Sequence, residues 1–144
     1  MMVPEDFHSF LNHYLKSWRS FSIEEIKKCI SNEYQAREAD GHSEIIDFGY
    51  QESVEGWEQA FSQLRDHAEW IINEIGILPL KNNEVMVILS ATLLMDEQPL
   101  DKASLFFQTF KKDENECWKL IMSYIEAGVP KDHLNSLVMV DKES

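Results

Sequence analysis

The first twenty residues carry large apolar side chains at helical intervals. Counted from Phe7, these side chains fall at positions i, i+3, i+4, i+7, i+8 and i+11. The residues are Phe7, Phe10, Leu11, Tyr14, Leu15 and Trp18. This spacing lines them up along one face of an amphipathic helix. Pro4, just before the pattern, suits the start of that helix. We therefore predict a first helix with a strongly aromatic face.

Two further helices are predicted from cap signals. Ser22 and Glu25 match the S-x-x-E capping box, and an isoleucine stripe follows them. Ser53 is interpreted as the N-cap of a third helix. The apolar face of that helix is formed by Val54, Trp57, Phe61 and Leu64.

Between the second and third helices the pattern changes to short runs typical of strands. Residues 34–39 and 44–51 are separated by Asp40–Gly41, a turn signal, and predict a strand pair. From Glu69 onward, four long runs rich in β-branched and aromatic residues alternate with turns and predict a β-meander. Gly128–Val129–Pro130 ends its last strand.

This order of elements predicts an α+β fold in which a long, strongly curved antiparallel meander wraps around three helices from the N-terminal half. The helices cannot fill such a sheet completely, so a cone-shaped cavity is expected. Concave, mostly apolar cavities are the usual form of small-molecule sites. We expect one domain over residues 1–130, followed by a short acidic C-terminal tail over residues 131–144 that holds one helical turn.

Three stretches resemble the nuclear transport factor 2-like superfamily, which includes the SnoaL-like polyketide cyclases and the ketosteroid isomerases. FLNHYLKSW at 10–18 is similar to the family's first helix, and GWEQAF at 56–61 to its third. FFQTFKKDENECWKLI at 106–121 resembles its F-x-F-x-x-G-K-I hairpin, with a longer acidic loop in place of the glycine. The resemblance covers roughly residues 7–126 and implies the cone fold.

The resemblance to ketosteroid isomerases also implies two catalytic residues. Tyr14 matches the first-helix tyrosine that donates to the substrate oxygen, and Glu38 matches the carboxylate that moves the proton. The family's second donor, a protonated aspartate, is replaced here by Phe106, with Gln108 the nearest polar residue of the same parity. The alternative is structural: Tyr14 packs in the core and Glu38 is a solvated strand end.

The expected pocket would hold a small apolar or aromatic ligand, because aromatic residues are numerous for one small core. Its expected ligand-binding residues are Tyr14, Trp18, Asp47, Trp57, Trp70, Phe106 and Gln108. Asp47 lies in the apolar run IIDFGY and could face inward or outward. Asp40 and His67 are alternative acid–base groups, better explained as a turn residue and a surface histidine.

The chain carries 26 acidic and 13 basic residues, a formal net charge of −13, which disfavours binding to nucleic acid and to anionic membranes. The five histidines show no metal-ligand spacing, and no nucleotide-binding motif is present, so neither a metal nor a cofactor is expected. MMVPEDFH is not typical of a secretory signal, and Cys29 and Cys117 lie far apart, which favours a cytoplasmic protein with reduced thiols.

Three functions remain open at this point. The first is a small-molecule binding protein without catalysis, and the second is an acid–base enzyme (a cyclase, dehydratase or isomerase) acting on a polyketide-like or steroid-like substrate. The third is a protein-interaction module. Both faces of the predicted meander carry large apolar groups, so we also expect a homodimer that covers the outer face of the sheet.

Overall fold

The computed structural model describes residues 3–138 and 140. Three helices form where the apolar periodicity predicted them. They are α1 (Glu5–Arg19), α2 (Ile23–Lys28) and α3 (Tyr50–Leu64). Among the described residues, no helix is both long enough and apolar enough to cross a membrane.

Seven strands form one sheet, and four of them have eleven or more residues. The strands are β1 (Ile30–Ala39), β2 (Ile45–Gly49), β3 (Ala68–Pro79), β4 (Glu84–Met95), β5 (Gln98–Pro99), β6 (Lys102–Lys112) and β7 (Trp118–Pro130). A 3-10 helix (Lys131–Ser136) follows β7. It contains the helical turn predicted for the tail, whose residues 139 and 141–144 lie outside the described residues.

The fold is α+β, as predicted: a long, curved sheet, not closed into a barrel, with the helices packed on one face. The order of the paired strands is β2-β1-β7-β6-β4-β3, and β5 pairs only with β4. The pairings of the meander are antiparallel. β1 pairs with β7 in parallel, which local sequence patterns did not indicate. This pairing joins the N-terminal strands to the middle of the sheet.

The inner face of the sheet and the first helix form the core. Phe7, Tyr14 and Trp18 of α1 have 0% exposure, and so do Val87 and Leu89 of β4. Aromatic contacts dominate: Phe110 of β6 lies within 5.5 Å, centroid to centroid, of the Phe7, Phe10 and Tyr14 rings. Side chains alternate between faces along a strand, so the residues between these positions form the outer face.

One predicted helix cap is wrong, and a second has the predicted position but not the predicted hydrogen bonds. α3 begins at Tyr50 and not after Ser53, because the carboxylate of Glu52 accepts a hydrogen bond from the backbone N–H of Gly49 at 3.0 Å. Ser53 is buried within the helix. Ser22 precedes α2 but makes no side-chain cap bond, and the Glu25 carboxylate contacts Lys28 and His13 instead.

Candidate ligand site at the open end of the cone

The exposure of the inward-facing side chains rises toward one end of β6 and of β1. Along β6, Phe110 and Gln108 are 0% and 1% exposed, whereas Phe106 is half-buried. β1 is parallel to β7 and β7 is antiparallel to β6, so β1 and β6 run in opposite directions. Along β1, Tyr34 is buried and Glu38 is half-buried. Both gradients point the same way. They define an open end of the cone at Glu38 and Phe106.

The open end contains an aromatic cluster formed by Trp18, Trp57, Trp70 and Phe106. Trp18 is fully buried at its centre, with ring centroids 5.0 Å from Trp57, 5.6 Å from Trp70 and 5.2 Å from Phe106. The three surrounding rings stand at 85°, 71° and 79° to Trp18, the edge-to-face arrangement that aromatic pairs favour. Each of the three is half-buried. Four of the predicted ligand-binding residues are therefore brought together.

Trp70 also borders a small depression of about 170 Å³, which Leu93 and Ala103 help to line. The indole N–H groups of Trp18 and Trp70 are buried and have no hydrogen-bond partner among the described residues. The cluster thus combines apolar surface with two unused donors.

Tyr14 and Gln108 lie deeper in the cone and satisfy each other. The Tyr14 hydroxyl donates to Gln108 Oε1 at 3.0 Å, and Gln108 Nε2 donates to the Ser123 hydroxyl of β7 at 3.4 Å. Burial raises the pKa of Tyr14 well above its usual range, so the phenol stays neutral at physiological pH. Trp57 and Trp70, predicted with Tyr14 to line the pocket, contact Trp18.

Tyr34 of β1 adds a second buried phenol on the same face. Burial raises its pKa to about 12, an increase that the neighbouring Ser123 and Ser53 hydroxyls partly offset. Ser123 of β7 thus lies between Gln108 of β6 and Tyr34 of β1. Ser123 and Tyr34 were missed by sequence reasoning, although the parity of Tyr34 with Glu38 was a usable signal.

Glu38 faces inward at the open end. Its strand parity is that of Tyr34 and Ala36, which both belong to the core. Burial raises the pKa of its carboxyl group, and the nearby Asp40 carboxylate adds to the effect. The hydroxyl of Tyr14 is committed to Gln108, so the structure does not pair it with Glu38.

Asp47 does not join the interior set. It lies on the outer face, opposite Arg37, and accepts two hydrogen bonds from that guanidinium at 2.7 and 3.0 Å. Arg37 holds the pKa of this carboxyl group below its usual range. The pairing register explains the placement, because Asp47 is opposite an outward-facing residue of β1. Its neighbours in the apolar run, Ile46 and Phe48, take the inner parity.

The outer face carries a groove of about 860 Å³. Arg37 and Asp47 lie along it, together with half-buried or exposed apolar side chains. The apolar residues are Met86 of β4, Phe107 of β6, and Met122 and Tyr124 of β7. Met122 is 53% exposed and Tyr124 36%. Elsewhere in the described part of the chain, no three His, Cys, Asp or Glu side chains are grouped to hold a metal ion.

Solved structures share this arrangement of helices and sheet. A domain of unknown function with a cystatin-like fold, from Nostoc punctiforme, matches with a TM-score of 0.66 at 13% identity, covering 92% of this chain and 85% of its own. A nuclear transport factor 2-like protein of unknown function from Shewanella oneidensis also gives 0.66 at 13% identity, covering 87% and 99%. The chain has the nuclear transport factor 2-like fold.

Another structure with this fold is described as a putative calcium/calmodulin-dependent protein kinase type II association domain, from Thiobacillus denitrificans. Its TM-score is 0.61 at 12% identity, and the match covers 81% of this chain and 90% of that one. No family model matches the chain, and no curated protein matches it. At such identities the likeness establishes the nuclear transport factor 2-like fold and nothing about a ligand.

Proposed function

We propose that the protein binds a small, flat, apolar molecule against the aromatic cluster at the open end of the cone. One observation carries the proposal. Trp57, Trp70 and Phe106 face inward around the buried Trp18, yet all three remain partly accessible to solvent. A ring inserted among them would bury apolar surface and add aromatic contacts.

Adjacent phenylalanines on β6 offer a matched test. Phe106 faces the aromatic cluster and Phe107 lines the outer groove, and both are half-buried. We expect 2-naphthylmethanol to bind the unmodified protein in isothermal titration calorimetry. Phe106→Leu should weaken that binding severalfold, because one wall of the cluster loses its ring. Phe107→Leu should leave the affinity unchanged.

Two results would contradict the proposal. The first is equal weakening by the two substitutions, which would place the probe elsewhere or reflect general destabilisation. The second is the absence of binding at the solubility limit of the probe. Chemical-shift changes of the four indole N–H groups give an independent location, since Trp118 lies at the opposite end of the sheet, against Phe7.

Acid–base catalysis is the second candidate, and the half-buried Glu38 favours it. A carboxylate whose pKa is raised by burial accepts a proton more readily than an ordinary one. In this arrangement the Tyr14 hydroxyl would have to leave Gln108 before it could donate to a substrate. Binding therefore ranks before catalysis. Turnover abolished by Glu38→Gln, with ligand affinity retained, would reverse that order.

The outer groove supports a further proposal, a homodimer. Across a two-fold interface, residue i of one copy contacts residue j of the other and j contacts i, so an exposed pair of opposite charges suits it. Arg37 and Asp47 form such a pair, with 59% and 62% of their side chains exposed, beside the apolar Met122. The Thiobacillus denitrificans association domain, which has the same fold, fits a role in assembly.

Light scattering with two glutamate substitutions tests the dimer. Met122→Glu places a charge in the groove and should convert a dimer into a monomer. Val138→Glu places the same charge on a residue that is 76% exposed and is not part of the groove, so it should have no effect. A monomeric unmodified protein at tens of micromolar would contradict the proposal.

A further inference from the structure

We infer that the molecule bound at the open end carries a positive charge, an organic ammonium held by Glu38. This inference rests on the proposed function, because the ring of the same molecule occupies the aromatic cluster. It starts from a difference in hydrogen-bond and salt-bridge partners among the carboxylates of β1, β2 and their connecting segments. One of them is half-buried and has no partner of its own.

The other carboxylates of this region are satisfied within the chain. Asp40 accepts hydrogen bonds from the backbone N–H groups of His42 and Glu44, both at 2.9 Å. Asp47 is paired with Arg37. Glu38 makes neither a side-chain hydrogen bond nor a salt bridge with any of the described residues. A half-buried carboxylate without a partner is costly, and a cationic ligand relieves that cost.

The sheet register places Glu38 within reach of the aromatic cluster. Glu38 pairs with Ile125 of β7, and Ile125 pairs with Phe106 of β6, so all three lie in one row on the inner face. Neighbouring strands are about 4.8 Å apart, which puts the backbones of Glu38 and Phe106 roughly 10 Å apart. An aromatic ring with an amine on a short alkyl arm spans this row, with the ring at Phe106 and the ammonium at Glu38.

Charges around the open end favour the same class of ligand. Asp40 is near enough to Glu38 to raise its pKa, and neither carboxylate forms a salt bridge with any of the described residues. The whole chain has a formal charge of −13. A negative field of this kind attracts cations and repels carboxylate-bearing ligands.

Three probes with one ring system and different charges test the inference. They are 2-naphthylmethylammonium, neutral 2-naphthylmethanol and anionic 2-naphthoate, each titrated by calorimetry at pH 7 and low salt. We expect the ammonium to bind about tenfold more tightly than the alcohol, the range of a charge-assisted hydrogen bond, and the naphthoate to bind most weakly. Glu38→Gln should remove the preference for the ammonium and leave the alcohol unchanged. Glu58→Gln, on the exposed face of α3, should keep it.

The outcomes separate this inference from the proposed function. If the alcohol and the ammonium bind the unmodified protein equally, the inference is wrong and the ring site stands. If the ammonium preference survives in Glu38→Gln, a general negative field explains it and Glu38 is not the anchor. If none of the three probes binds, the proposed function fails, and the inference fails with it.

Discussion

The Tyr14 hydroxyl donates a hydrogen bond to Gln108 Oε1 at 3.0 Å, and both side chains are almost completely shielded from solvent. The bond ties α1 to the centre of the sheet. It also fixes the orientation of the amide, because Gln108 Nε2 then faces Ser123. A buried polar pair of this kind is satisfied only while both partners are present.

Tyr14→Phe should lower the free energy of unfolding by about 1–3 kcal/mol, because it leaves the Gln108 carbonyl oxygen buried without a donor. Replacing both partners, as Tyr14→Phe with Gln108→Met, should be less destabilising than the sum of the two single changes. Urea unfolding of the four proteins measures this coupling. Strictly additive effects would show that the hydrogen bond contributes nothing.

Glu38→Gln should change how stability depends on pH. The unfolded carboxyl group titrates near 4.5, and burial raises the pKa in the folded state. The raised pKa favours the folded state while Glu38 is protonated. This contribution is complete below pH 4.5 and is lost as the pH rises through the folded pKa. The variant should therefore gain stability relative to the unmodified protein as the pH rises from 4.5 through the folded pKa, as measured by thermal unfolding. A Glu38→Gln stability curve that runs parallel to that of the unmodified protein would contradict the prediction.

The two thiols should react at very different rates. Cys29 is 3% exposed, and burial raises the pKa of its thiol to about 11, so it is both inaccessible and protonated at pH 8. Cys117 is exposed. Titration with Ellman's reagent should show one fast thiol per chain, and the second only after denaturation. Cys117→Ser should remove the fast phase and Cys29→Ser should leave it. Two fast thiols in the native protein would show that the α2–β1 junction opens readily.

Glu52→Ala should destabilise the protein by about 1 kcal/mol, because its carboxylate caps the first turn of α3 at Gly49. Glu58→Ala changes an exposed glutamate of the same helix that has no such role. Chemical denaturation of the two variants gives the comparison. Equal stabilities would mean that the cap is worth no more than a surface charge.

Local patterns predicted what depends on local physics. Each element buries one face, and this produces the helical spacing from Phe7 to Trp18 and the long apolar runs after Glu69. The sequence therefore predicted the positions of these elements. The start of α3 was predicted wrongly because more than one residue could cap it. Ser53 had the right chemistry, yet Glu52 reaches back to Gly49 and starts the helix one turn earlier.

Partners distant in sequence were harder to predict. The parity of β6 placed Gln108 on the inner face, but nothing in the sequence pairs it with Tyr14, which is 94 residues away. Asp47 illustrates the same limit, because β2 has apolar residues of both parities and only the register with β1 decides its face. The aromatic cluster was predicted as a set, but the central place of Trp18 emerges only from the packing.

The parallel pairing of β1 with β7 has a consequence for how the protein is made. Ile30 pairs with Leu120, about 90 residues later, so on the ribosome the first strand waits several seconds for its partner to be synthesised. During that interval the β1–β2 hairpin has an open edge with unpaired backbone groups, the kind of surface that recruits other chains. Translation pauses before residue 120 should therefore promote aggregation of the nascent chain.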